Sequence, residues 1–145
     1  MSEYAVNITR KETSLDDMLT NHGVLTIRGP VNFNFSSPGN TLLHNYGTVT
    51  LTSGVTLTNN HSNGKVVHNK GRFILEGNGD GYQCIIKGIG QNSNFGLWNE
   101  GTVQSNNCQF LIQDVSYGIV RDGNSTDDVS TNYHYINVGQ PFYGM

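Results

Sequence analysis

Two histidines and two cysteines recur at one interval. His44 and His68 are 24 residues apart, and so are Cys84 and Cys108. Two imidazoles brought together begin a metal site, but structural zinc takes four ligands. The residues at the equivalent positions on either side, Thr20 and Trp98, are not natural ones. A polar-aromatic ladder is the better reading of the pair. Cysteines on stacked strands about 4.8 Å apart fall inside the disulfide window. Buried, reduced thiols suit the same spacing and are expected for a chain made in the cytosol.

Other chemistry-bearing residues are more scattered. Cleavage of a polysaccharide needs paired carboxylates, or acidic calcium ligands with a base, on one face. Glu76 and Asp80 flank a glycine-rich stretch, Glu100 follows later and Asp114 stands apart. Only the stretch around Asp80 together with Glu100 offers a place for a cleft, and ordinary solvated loop charge accounts for it. Residues 122–128 (DGNSTDD) hold oxygen ligands suited to calcium but lack the central Gly and terminal Glu of the helix-loop-helix motif. Residues 77–81 (GNGDG) have no following Lys-Ser/Thr and so do not cradle phosphate. Thr48, Thr50, Thr52, Thr56 and Thr58 line the outer face of one repeat unit, an array that could bind ice if it propagated, but Arg72, Ile74 and Glu76 break it in the next unit. Tyr46, Tyr82 and Trp98 are candidates for stacking on a sugar ring.

These residues are set in a repeat. Asn21-His22-Gly23, Asn45-Tyr46-Gly47 and Asn69-Lys70-Gly71 follow at intervals of 24, and Asn99-Glu100-Gly101 after 30. A short β-type run follows each signature, at residues 24–27, 48–51, 72–75 and 102–104. Aligned at the period, Leu25 meets Val49 and Phe73, Ile27 meets Leu51 and Leu75, Val31 meets Val55, Phe33 meets Leu57 and Leu43 meets Val67. Within each run apolar residues alternate with polar ones, the period of a strand with one buried face. Periods of this length mark stacked repeats in which each unit buries its apolar face against its neighbours.

A repeat carrying two or three short strands and no helix is one coil of a parallel β-helix. Asn at a recurring corner tolerates the left-handed conformation and can bond along a ladder. The glycine two residues later relieves a tight corner. Asn21, Asn45, Asn69 and Asn99, with Gly23, Gly47, Gly71 and Gly101, are therefore the expected structural ladder. The coils are expected at residues 21–44, 45–68, 69–98 and 99–121, with a degenerate fifth from Asp122. The third coil's six extra residues are placed in residues 76–82. Three parts follow: an arm and cap (1–17), coils (18–121), and a loop, last strand and aromatic tail (122–145). Ser14 is a candidate N-cap for a short helical turn plugging the first coil. Tyr4, Val6 and Ile8 alternate as in a strand, and Phe142 and Tyr143 end the chain in aromatic residues. These five are the candidate contacts with a neighbouring subunit.

Bulk properties agree with an all-β domain. The 145 residues are 13% charged, with 18 glycines and a net charge of −3 without any basic block, which argues against a nucleic-acid partner. Residues 1–7 lack a secretory pattern, and no run reaches the length of a membrane span. A cytosol-made protein without a membrane partner is expected.

On the repeat over residues 18 to about 112, the chain resembles the right-handed β-helix proteins, the group of pectate lyases, polysaccharide-cleaving phage tailspikes and adhesin passenger domains. The resemblance implies a right-handed, single-chain solenoid of about four to five coils with a short N-terminal cap. Small virion modules of tailed phages look like this. The expected function is that of a non-enzymatic phage capsid decoration or accessory protein, without metal or cofactor. It would sit on the virion surface as a homo-oligomer, preferably a trimer, against a major capsid or tail protein. Two rival expectations are a receptor- or glycan-binding module of a tail fibre or tailspike, and a polysaccharide lyase or hydrolase.

Overall fold

The computed structural model describes residues 6–11, 17–36, 41–77, 82–89, 94–128 and 133–144. Among them there are strands and turns and no helix. The chain opens with β1 (Val6–Lys11), then β2 (Leu19–Asn21), β3 (Val24–Ile27) and β4 (Val31–Ser36). The next coil holds β5 (Thr41–Asn45), β6 (Thr48–Thr52) and β7 (Val55–Asn59), and the one after it β8 (Lys65–Asn69), β9 (Arg72–Glu76) and β10 (Tyr82–Lys87). Then come β11 (Phe95–Asn99), β12 (Thr102–Asn106) and β13 (Gln109–Arg121), and finally β14 (Thr126–Asp128) and β15 (Tyr133–Gly144). Every strand pair is parallel, and the result is a β-solenoid of about four turns.

One sheet has the order β14-β12-β9-β6-β3. The other runs β1-β4-β7-β10-β13-β11-β8-β5-β2, with β15 laid on β13. The long β13 joins two wings of this sheet, because its first half pairs β10 and its second half pairs β11. All the residue pairs aligned by the sequence period are register neighbours. Inward positions form continuous rows, such as Leu43-Val67-Leu97-Ile119 and Val49-Phe73-Val103, all buried. Burying each such side chain contributes about 1.5–3 kcal/mol, so the core is built one row at a time.

The asparagine ladder runs inside this core. Asn45, Asn69 and Asn99 are fully buried. Asn21 Nδ2 donates to Asn45 Oδ1, Asn45 Nδ2 to Asn69 Oδ1 and Asn69 Nδ2 to Asn99 Oδ1, each at 2.9 Å. Each of these amides also reaches the glycine carbonyl of its own signature and a carbonyl that opens the next coil's strand, as Asn69 does at Gly71 O (3.1 Å) and Thr102 O (3.0 Å). The expected left-handed backbone is found elsewhere, at Asn63, Asn107, Asp114 and Asn137. The ladder residues close their strands in ordinary conformation and work through their amides.

The glycines have a different role from the one their turn position implied. A Cβ on Gly71 would overlap the carbonyl oxygen of Gly47, one on Gly47 that of Gly23, and one on Gly101 that of Gly71. Close approach of successive coils is therefore what requires glycine here. Gly23, in the first coil, has nothing within 4 Å of that position.

The outer segments also stack. β1 pairs with β4 from Val6↔Val31 to Lys11↔Ser36, so it is a coil strand. β14 sits on β12 (Thr102↔Thr126), and β15 follows β13 from Phe110↔Tyr133 to Arg121↔Gly144. Phe142 and Tyr143, expected in a tail beyond the last strand, thus belong to that strand. The pairings locate the third coil's insertion: the offset is 24 at Thr48↔Arg72, 29 at Val55↔Cys84 and 30 at Lys65↔Phe95. Five of the six extra residues fall between β9 and β10. Of the helical turn expected over residues 14–19, residues 14–16 lie outside the described residues, while Asp17 and Met18 are not helical and Leu19 opens β2. Cys84 and Cys108 are buried free thiols with sulfurs 3.8 Å apart. The Cys108 hydrogen bond, with burial, pushes the Cys84 thiol above its ordinary value.

Two substitutions test the ladder by urea denaturation. Asn69→Ala removes several buried hydrogen bonds and should cost about 3 kcal/mol. Gly71→Ala should cost more than about 2 kcal/mol by overpacking, while Gly23→Ala should stay within about 0.5 kcal/mol. Equal effects at Gly71 and Gly23 would refute the close-approach explanation.

Candidate functional site

In-register stacking puts two rows of outward side chains on the wing formed by β2, β5, β8, β11 and the second halves of β13 and β15. Along one row Thr20, His44, His68, Trp98, Val120 and Tyr143 follow one another. Along the other are Thr41, Lys65, Phe95, Tyr117 and Gln140. On β8 and β11 two consecutive buried residues separate Lys65 from His68 and Phe95 from Trp98, which leaves both members of each pair on the outer face. Leu43 and Asn45 are buried inside, so His44 between them points out.

The rings on this wing touch in sequence. His22 stacks on Tyr46, Tyr46 on His44 and His44 on His68, with centroids 4.5–4.7 Å apart in nearly parallel planes. From His68 the contact turns oblique to Trp98, then edge-on to Phe95, and Phe95 stacks on Tyr117 at 5.1 Å. Tyr117 ends against Tyr143 edge-to-face at 5.2 Å. Aromatic pairs in these geometries contribute about 0.5–1.5 kcal/mol beyond burial.

Charges brace the ladder. Asp17 Oδ2 takes His44 Nδ1 at 2.9 Å, and its other oxygen accepts the Thr41 backbone N–H. Glu100 makes a close hydrogen bond with His68 Nε2, and Lys70 Nζ lies 3.8 Å from the same carboxylate. Lys65 sits over the Trp98 ring at 4.8 Å, and Lys70 over Tyr46 at 5.6 Å. The two imidazoles therefore lie face to face, each bonded to a different carboxylate. Among the described residues no cluster of three His, Cys, Asp or Glu is arranged to hold a metal ion.

Burial is the main cause holding the His68 imidazole below its usual value, aided by the charges of His44 and Lys65 against the opposing hydrogen bond to Glu100. For Glu100, burial acts to raise the carboxyl, but the His68 hydrogen bond and charge, with Lys70 and His44, leave it lower than usual. Both shifts have one sign: the folded state binds these protons less readily than the unfolded chain. Stability is then full above the unfolded imidazole value of 6.5 and declines as pH falls below it.

Where the ladder ends there is an open cleft of about 550 Å³, lined by Ser116, Tyr117, Gly139, Gln140 and Tyr143. Tyr143 is 45% exposed. A Cβ on Gly139 would press on the Ser116 carbonyl at 2.9 Å, so glycine lets β15 lie close to β13 here.

The sequence-selected aromatic residues divide. Tyr46 (43% exposed) and Trp98 share the ladder. Tyr82 is in β10, and pairs with the opposite end of β13 from Trp98 (Tyr82↔Gln109, Trp98↔Val120). The structure therefore does not bring Tyr82 to the other two. Val6 and Ile8 lie in β1, with Ile8 40% exposed. Phe142 packs against the core beneath the Arg121 guanidinium, 4.2 Å from its ring. Tyr4 and Asp80 lie outside the described residues. Glu100, expected near a cleft with Asp80, is engaged by the ladder. Asp122 opens a tight turn closed by its carbonyl and the Ser125 N–H, leading into β14. Sequence reasoning missed Asp17, Lys65, Phe95, Tyr117 and Gln140. The repeat contained a signal for the last four, since they share one register row, but the changing coil length concealed it.

Comparison with protein-family models, with curated proteins and with solved structures finds no match.

Acidification tests the ladder. Unfolding midpoints should fall between about pH 7.5 and 5.5, and His68→Phe, which keeps a ring in the stack, should flatten that fall. A midpoint that holds or rises on acidification would contradict the assignment.

Proposed function

We propose that the protein is a non-enzymatic structural module of a virion surface, a phage capsid decoration or accessory protein that docks as a homo-oligomer, with a trimer favoured. It would be made in the host cytoplasm and attach to a major capsid or tail protein. The supporting observation is the terminal coil. β15 is twelve residues long and pairs along one edge with β13, while its other edge carries no strand among the described residues. Ile136 and Tyr143 are each 45% exposed on this strand. Long open edges invite another chain, and proteins normally blunt them. An edge of this kind on a rigid stack of coils suits attachment, and Asp17 and Glu100 are occupied in bracing the stack. Light scattering on the purified protein should give about three times the 15.9 kDa chain mass. Ile136→Lys should shift the mass toward the monomer. A monomer at every concentration that also fails to bind virions would overturn the proposal.

The aromatic ladder favours a second reading, a glycan-binding module of a tail fibre or tailspike. Tyr46 and Trp98 lie on one surface with Lys65 and Lys70 beside them, and aromatic faces next to polar groups are how proteins hold sugar rings. Screening the intact protein against an oligosaccharide panel tests this reading, which fails if no sugar binds.

A further inference from the structure

Resting on the glycan-binding reading, we propose that the ligand is a neutral oligosaccharide and that its main subsite is the cleft between Tyr117 and Tyr143. The lining settles the class of ligand. Ser116, Tyr117, Gly139, Gln140 and Tyr143 provide two phenol rings with their hydroxyls, a serine hydroxyl and an amide, with no group charged at neutral pH. A charged ligand would meet no counter-charge in this cleft, and a purely apolar one would leave the amide and hydroxyl without use. A pyranose ring has both an apolar C–H face for a tyrosine and hydroxyls for an amide.

Geometry selects this end of the ladder. Inside a stack each ring face is covered by the next ring, as between His22, Tyr46, His44 and His68. At Tyr117 and Tyr143 the planes instead cross at 62°, forming two walls that open outward. Gln140 continues the row Lys65-Phe95-Tyr117, which places its amide beside the Tyr117 wall. The side-chain N–H of Gln140 is held by Phe142 O at 3.0 Å, leaving its carbonyl end to accept from a sugar hydroxyl. A volume of about 550 Å³ falls in the usual range for small-ligand sites.

The test uses the intact protein, titrated by calorimetry with maltotriose, cellotriose, triacetylchitotriose and sialyllactose. Tyr143→Ala, Gln140→Ala and Tyr46→Ala are compared after their circular dichroism and oligomeric mass have been checked. One of the neutral sugars should bind more tightly than sialyllactose. Tyr143→Ala and Gln140→Ala should each weaken binding by about tenfold or more, and each by more than Tyr46→Ala does. Binding that survives Tyr143→Ala but is lost in Tyr46→Ala would overturn the cleft while leaving the glycan reading in place. Preference for sialyllactose would overturn the neutral class. A Tyr143→Ala variant with changed oligomeric mass and unchanged sugar binding would give the cleft to a subunit contact and also overturn the proposal. Absence of binding to all four sugars and to a wider oligosaccharide panel would remove both the cleft and the glycan reading.

Discussion

A buried carboxamide at the end of one strand in each coil is the constraint from which the rest of this molecule follows. Asn45, Asn69 and Asn99 are fully enclosed, where an unsatisfied amide would cost about 1–3 kcal/mol. Asn45 and Asn69 are satisfied by the next coil's asparagine and opening carbonyl, and Asn99 by the Thr126 carbonyl and the Gly101 N–H. Coil length can change, but the corner cannot. This explains why the 30-residue coil bulges between β9 and β10 and returns to register at Asn99. The glycine two residues on meets the same demand, since the coils approach too closely there for a side chain.

Once the corner fixes the register, the outer surface becomes a set of rows, with consequences for charge as well as shape. Two imidazoles 4.5 Å apart would repel if both were protonated. Asp17 and Glu100 each engage one of them, and burial favours the neutral form of His68. The ladder therefore serves first to hold coils together. Surface available to a ligand arises where stacking gives way to edge contacts, and among the described residues that is near Trp98 and, most openly, between Tyr117 and Tyr143.

The ends of a solenoid pose a separate problem, because the ladder has no next coil to bond. At the start, Leu19, Leu25 and Ile27 are only partly buried, and Val24 is largely exposed. At the finish, Tyr135 and Phe142 meet edge-to-face over the core, and Arg121 lies above Phe142. Apolar contacts thus shield the last coil's interior, whereas the outer backbone edge of β15 carries no strand among the described residues.

The sequence by itself determined the all-β class, the coil period and the identity of the ladder, because parallel stacking turns a repeat along the chain directly into neighbours in space. It also placed His44 and His68 between Thr20 and Trp98, for the same reason. What it hid lies where that translation fails. Phe95, Tyr117 and Gln140 share a row at offsets of 22 and 23 residues, after a coil of 30 has broken the simple count. Asp17 reaches His44 across 27 residues from outside the repeat. In the next coil the signature vanishes, with Arg121 in register with Asn99, yet Asn99 still finds Thr126 O and the coil still closes. The length of β15 and the cleft beside it were decided by tertiary structure alone, because backbone pairing along β13 needs no repeated side chain to guide it.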